Sequence, residues 1–174
     1  MALIAGGTSI DSFKLGNIMM SDATTGDGTS NWSVTDASLS YEKDGDGHHS
    51  GFYRVTYTNT SQHIRKNLSS TLTTGRKYRI YIQCRSSSQQ LYSNNNTFLD
   101  LKSAGDGSGG GIDYFPKAFS TGWWAQSYDK EATVDADEFR ILLWLTSGQT
   151  FDFRQVFIYE LLPYGDSAAG QYHS

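Results

Sequence analysis

Trp32-Ser33-Val34, Asp44-Gly45-Asp46-Gly47-His48-His49-Ser50-Gly51-Phe52-Tyr53-Arg54-Val55 and Leu72-Thr73-Thr74-Gly75-Arg76-Lys77-Tyr78-Arg79-Ile80 punctuate the stretch from residue 32 to 85. Each run of alternating apolar and polar residues closes on a cluster of turn formers. That alternation places one face of each strand in a core and the other outside, as in an all-β sandwich. The clearest case is 76–85, where Tyr78, Ile80, Ile82 and Cys84 alternate with Arg79, Tyr81, Gln83 and Arg85.

The same reading extends along the chain. Strands are expected at 15–20, 31–35, 38–42, 52–58, 62–68, 98–101, 138–146 and 151–161, while 112–115 leads to Pro116 and 117–128 carries Trp123-Trp124. No helix signal of useful length and no internal repeat is present. Turns at intervals of about eight to twelve residues suit a jelly roll of about eight to ten strands. The period-2 register assigns Tyr53, Val55, Tyr78, Ile80, Ile82, Ile141, Leu143 and Val156 to the core. The expected organisation is an N-terminal arm over 1–16, a single jelly-roll β-sandwich of two antiparallel sheets over 17–162, and a flexible tail over 163–174. The arm is either flexible or docks on a neighbouring subunit.

The 174 residues suffice for one domain with a real core. Aromatic residues reach 14%, enough to fill a sandwich or line a binding face. Fourteen basic against 18 acidic residues, with no basic run, argue against nucleic acid and anionic membranes as partners. No apolar stretch is long enough for a transmembrane helix, and the first residues lack the features of a signal peptide. The single cysteine, Cys84, excludes an internal disulfide, and its apolar register reads as a buried small hydrophobe rather than a nucleophile.

The order of the motifs resembles the jelly-roll carbohydrate-binding modules of the cellulose- and xylan-binding type, within the galactose-binding-like group. The resembling features are Trp32 after a loop, His49-Ser50-Gly51 ending an acidic glycine-rich loop, and Phe52-Tyr53-Arg54-Val55-Thr56-Tyr57. Leu72-Thr73-Thr74-Gly75-Arg76-Lys77-Tyr78 and the last strand, Phe151-Asp152-Phe153-Arg154-Gln155-Val156, complete the series. The resemblance covers about residues 17–160 and implies a module that binds and does not catalyse. Many relatives hold a structural calcium through an Asp in the last strand. Arg154 stands at that place, and a guanidinium cannot coordinate a cation. Asp44-Gly45-Asp46-Gly47 reads as a turn, with a metal as the lesser alternative. No metal and no cofactor are therefore expected.

No catalytic site is expected. His48 and His49 are adjacent and would face opposite ways in a strand, His63 stands alone, and His173 is in the tail. Gly105 to Gly111 lacks the ending of a phosphate loop and reads as a surface loop, and Asp135, Asp137 and Glu138 read as a solvated turn. Binding has better support. The non-core faces of the two best-alternating strands carry Arg79, Tyr81, Gln83 and Arg85, and Arg140, Leu142 and Trp144. Planar aromatics and forked polar groups suit sugar rings and vicinal hydroxyls, and equally anchor protein interfaces. If the two strands share a sheet, Arg79, Tyr81, Gln83 and Trp144 form one face, with Arg85 and Arg140 beside them.

The expected function is a non-catalytic recognition module. The first context is a phage virion surface protein, a capsid decoration or tail adhesin. It would be made in the host cytoplasm, assemble as a homo-oligomer, and bind capsid or tail protein or host glycans. The alternative is a carbohydrate-binding module of a polysaccharide-active enzyme.

Overall fold

The structure, a computed structural model, describes residues 13–22, 32–35, 37–43, 51–58, 62–87, 99–103, 109–112, 121–143 and 147–163. Eleven strands run through them. β1 spans Phe13–Asp22, β2 Ser33–Val34, β3 Ala37–Lys43, β4 Gly51–Tyr57, β5 Gln62–Leu72 and β6 Lys77–Ser86. β7 spans Leu99–Lys102, β8 Gly109–Ile112, β9 Trp124–Glu131, β10 Ala136–Leu143 and β11 Thr150–Pro163. No helix occurs among the described residues, so none there is long and apolar enough to cross a membrane.

The fold is all-β, a jelly-roll sandwich of two antiparallel sheets. One sheet has six strands in the order β3-β4-β11-β6-β9, with β1 also pairing β11; the other has five, in the order β2-β5-β10-β7-β8. β11 is the axis of the larger sheet. Its residues 150–153 pair with β4, residues 151–161 with β6, and residues 156–163 with β1. β4 and β1 thus share one side of the long strand, each covering a different half.

The core forms because the alternation holds. In β6, Tyr78, Ile80, Ile82 and Cys84 are buried, while Arg79, Tyr81, Gln83 and Arg85 stand half-buried on the opposite face. The turn before β6 uses Gly75 at φ +81, a left-handed conformation that glycine adopts without strain. The buried Tyr78 hydroxyl accepts the Thr73 backbone N–H at 2.8 Å, which ties the turn to the core.

Trp32 lies at the centre of an aromatic cluster. It is 6% exposed, with its ring 4.8 Å from Phe153, 6.2 Å from Tyr53 and 6.3 Å from Phe139. Tilted and edge-on contacts of this kind add to the burial of the rings. Of the expected core residues, Tyr53, Val55, Tyr78, Ile80, Ile82, Ile141 and Val156 are buried. Leu143 lies in β10, with its side chain outside the described residues.

Several expectations need correction. The arm expected over 1–16 is not all arm, because Phe13, Lys14 and Leu15 pair with Pro163, Leu162 and Leu161 as the start of β1. Pro163, expected in the tail, closes β11 for the same reason. The glycine run expected as a loop contributes Gly109, Gly110 and Gly111 to β8, opposite Lys102, Leu101 and Asp100. Ladder hydrogen bonds need only the main chain, so glycine can complete an edge strand. Residues 1–12, 104–108 and 164–174 lie outside the described residues.

Glu138 is not in a solvated turn. It is buried in β10 and accepts from Arg140 Nε. Asp135 does sit in a turn, where its Oδ1 accepts both the Thr74 backbone N–H and the Thr74 hydroxyl at 2.8 Å. Those two bonds, the backbone one first, hold the Asp135 carboxyl below its ordinary pKa.

Candidate functional site

The outer face of the six-stranded sheet is set by β6, between β11 and β9. Pairing places Tyr81 opposite Phe157 and Arg79 opposite Tyr159 on β11, and Ser127 and Asp129 opposite the same two residues on β9. Residues directly opposite share a face, so these side chains gather.

β11 reaches this arrangement through a bulge. Phe151 and Phe153 point into the core, the register shifts between Arg154 and Phe157, and Val156 and Ile158 point inward beyond it. Gln155 takes up the extra residue at φ +52, a conformation sparsely used by residues other than glycine. The shift turns Phe157 and Tyr159 outward and aims Gln155 beside them.

The outcome is a cleft of about 360 Å³ lined by Leu15, Arg79, Tyr81, Ser127, Gln155, Phe157 and Tyr159. Tyr81 and Phe157 stand 6.1 Å apart at 38°, and Phe157 and Tyr159 stand 6.0 Å apart at 31°. The three rings form a continuous tilted platform. Arg79 is fixed at its edge by a two-pronged pair to Asp129, with Nε and Nη2 each donating at 2.7 Å.

Farther along the same face lies an arginine and aromatic cluster. Asp152 is 3% exposed and accepts from Arg54 Nε and Nη2 at 2.8 Å and from Arg85 Nε at 2.7 Å. The Asp152 hydrogen bond is also the main reason that the Arg54 pKa rises above its ordinary value. Arg154 donates from Nε to Gln83 Oε1 at 2.8 Å and lies 4.1 Å from the Trp123 ring centre. Arg85 lies 4.5 Å from Trp123 and 4.8 Å from Phe52, and the two rings meet edge-on at 5.5 Å. These stacked cations stiffen the floor of the face.

The residues expected from sequence divide accordingly. Arg79 and Tyr81 line the cleft, while Gln83 and Arg85 continue the same face but are engaged by Arg154 and Asp152. Arg140 does not join them. β10 belongs to the five-stranded sheet, so Arg140 sits on the opposite outside of the sandwich, bonded to Glu138. Trp144 lies outside the described residues. Sequence reasoning missed Gln155, Phe157 and Tyr159, whose exposure depends on the bulge, and Leu15 and Ser127, which only strand pairing brings to the cleft.

The reactive groups among the described residues are buried or engaged. Cys84 is fully buried, and burial pushes its thiol pKa well up, which makes it a poor nucleophile. Asp152 and Asp129 are held by arginines. Among the described residues, no three His, Cys, Asp or Glu side chains gather as a metal site. Asp44, Asp46, His48, His49 and His173 lie outside the described residues.

No family model and no curated protein matches the chain. Solved structures do resemble it. The CBM22-1 xylan-binding domain from Paenibacillus barcinonensis Xyn10C aligns with a TM-score of 0.62 at 11% identity, covering 84% of this chain and 96% of that domain. The CBM22-1–GH10 modules of Clostridium thermocellum endo-1,4-beta-D-xylanase 10B, complexed with xylohexaose, align with a TM-score of 0.58 at 13% identity, covering 82% and 28%. A CBM4 structure aligns with a TM-score of 0.54 at 14% identity, covering 76% and 96%. Likeness at these identities establishes the sandwich fold.

Proposed function

We propose that the chain is a non-catalytic glycan-recognition module that holds an oligosaccharide along the outer face of its six-stranded sheet. The observation that carries this reading is the cleft of about 360 Å³, with Tyr81, Phe157 and Tyr159 as its platform and Arg79 and Gln155 at its edge. A pyranose ring presents a C–H face that packs on aromatic rings and an equatorial rim of hydroxyls that pair with planar polar groups. Arg79 is already immobilised by Asp129, so donating its remaining N–H groups to a ligand sacrifices little further side-chain freedom. The backbone bulge sets Gln155 at the edge of the cleft. The xylan-binding description of solved domains with this fold supports the same reading.

A second reading keeps the face and changes the partner. Arginine and aromatic side chains also anchor protein interfaces, so capsid or tail neighbours, homo-oligomerisation and a place in a virion are the corresponding proposal. Two measurements separate the readings. An oligosaccharide array that includes xylohexaose should show saturable binding by the monomer, weakened about tenfold or more by Tyr81→Ala. No binding anywhere on the array, with a concentration-dependent oligomer in sedimentation that Tyr81→Ala dissolves, would replace the glycan with a protein partner.

A further inference from the structure

The sandwich has a second cavity, of about 680 Å³, at the edge where β1 of the larger sheet and β5 of the smaller one part. It shares no lining residue with the cleft around Tyr81. We infer that this edge cavity is a separate binding site, and that it takes a saccharide carrying a carboxylate or a sulfate.

The lining decides the class. Its two cations are consecutive, Arg65 and Lys66, on opposite faces of β5, and both border the cavity because it sits at the edge of the sandwich. The Lys66 ammonium stands 5.2 Å over the ring of buried Trp32, which forms the floor. The Arg65 guanidinium is steadied from Nε by the neutral Ser33 hydroxyl at 3.0 Å. Among the described lining residues there is no Asp or Glu, although the chain has 18 acidic residues against 14 basic ones. The neighbouring arginine across the strand pair, Arg140, is taken up by Glu138, whereas among the described residues the side-chain partner of Arg65 is the neutral Ser33 hydroxyl. A site rich in cationic donors and poor in carboxylate acceptors selects an anion.

Size and the remaining lining select the body of the ligand. The volume lies in the range of small-molecule sites, about 300–1,000 Å³, and exceeds what an inorganic anion fills. Ser21, Asn67 and Ser69 add hydroxyls and an amide that match a polyhydroxylated ring. Ser69 also donates to the Met19 carbonyl at 2.7 Å, a clip that joins β5 to β1 across the cavity's edge. Ile18, 56% exposed on β1, offers an apolar wall for the C–H face.

The test is a titration followed by the indole N–H resonance of Trp32. The probes are glucuronic acid, glucose 6-sulfate, glucose and inorganic sulfate. Both charged sugars, or the one whose anion fits better, should shift the resonance saturably, and their relative affinity tells a uronate from a sulfated sugar. Arg65→Gln and Lys66→Met, which keep the Ser33 contact and the stem over Trp32, should each weaken binding about tenfold without changing the melting temperature. Raising sodium chloride from about 50 to 500 mM should weaken binding to the wild type, which tests the charge even where a variant folds poorly. Tyr81→Ala should leave this binding unchanged, so failure of the cleft and failure of the edge site are distinguishable. An unmoved Trp32 resonance, equal binding of glucose, equal binding of inorganic sulfate, or unchanged affinity in both variants would each overturn the assignment.

Discussion

Asp152→Asn is the substitution that most directly challenges the architecture of the outer face. The Asp152 carboxylate is buried between Arg54 and Arg85 and accepts three guanidinium N–H bonds of 2.7–2.8 Å. Asparagine keeps the shape and one acceptor oxygen, removes the charge, and turns an amide donor toward a guanidinium. A hydrogen bond to a charged group contributes about 1.5–3 kcal/mol, so the three set an upper bound of about 5–9 kcal/mol. The arginines are not sealed in. Their side chains are 35% and 29% exposed and can turn toward water, which offsets much of that loss. Removing one member of a buried pair costs about 3–5 kcal/mol, and the partial exposure brings the expected loss to about 2–4 kcal/mol. At an m-value of about 2 kcal/mol/M, the urea midpoint should fall by about 1–2 M. Adding Arg54→Met to Asp152→Asn should be less damaging than the separate losses together, because the cation left without its carboxylate is gone. A loss under about 0.5 kcal/mol would mean that the arginines, Phe52 and Trp123 are held by packing alone, and the account of the rigid floor would be wrong.

Other substitutions test other parts of the structure. Gly51→Ala should destabilise the fold by about 1–3 kcal/mol in a urea titration, because an added Cβ would collide with the Glu42 carbonyl oxygen and lie 2.5 Å from the Tyr41 ring. Ile80→Ala should cost about 2–5 kcal/mol in the same assay, since the side chain is fully buried between the sheets. Asp135→Ala should lower the melting temperature at pH 7. The folded-state pKa of Asp135 is depressed, so its contribution is present above the unfolded value of about 3.9 and is lost as pH falls through the folded one. The gap between Asp135→Ala and wild type should therefore narrow as pH falls below the unfolded value and through the depressed folded one, as followed by thermal melts across pH.

The fold was legible wherever side chains alternate without interruption. β6 is the clearest case: its inward isoleucines and outward Arg79 and Tyr81 follow from period 2 alone. Trp32 was visible as a landmark but not as the hub of an aromatic core, because its partners come from β4, β10 and β11. The site was half legible. Arg79 and Tyr81 share a strand that can be read locally, whereas the placement of Arg140 depends on which sheet receives β10, and sheet order is a non-local property.

Phe157 and Tyr159 were hidden for a different reason. Alternation counted from Phe151 puts Phe157 and Tyr159 in the core with Phe153, alternation counted from Val156 puts them outside, and only the bulge at Gln155 lets one strand hold both registers. A glutamine in the left-handed region carries no sequence signal of the kind that Asn-Gly or Asp-Gly would give. The β8 glycines were hidden because the pairing that recruits them belongs to β7.

The central claim is that the cleft on the outer face of the six-stranded sheet holds a glycan. Its most direct test is a two-dimensional NMR titration of the wild-type chain with the tightest-binding array oligosaccharide, with backbone and side-chain resonances assigned. The account predicts saturable shifts at Tyr81, Ser127, Gln155, Phe157, Tyr159 and the Arg79 guanidinium, the residues around the cleft. Shifts confined to the opposite sheet around Arg140, or an absence of shifts at those six residues while the ligand is bound, would contradict it.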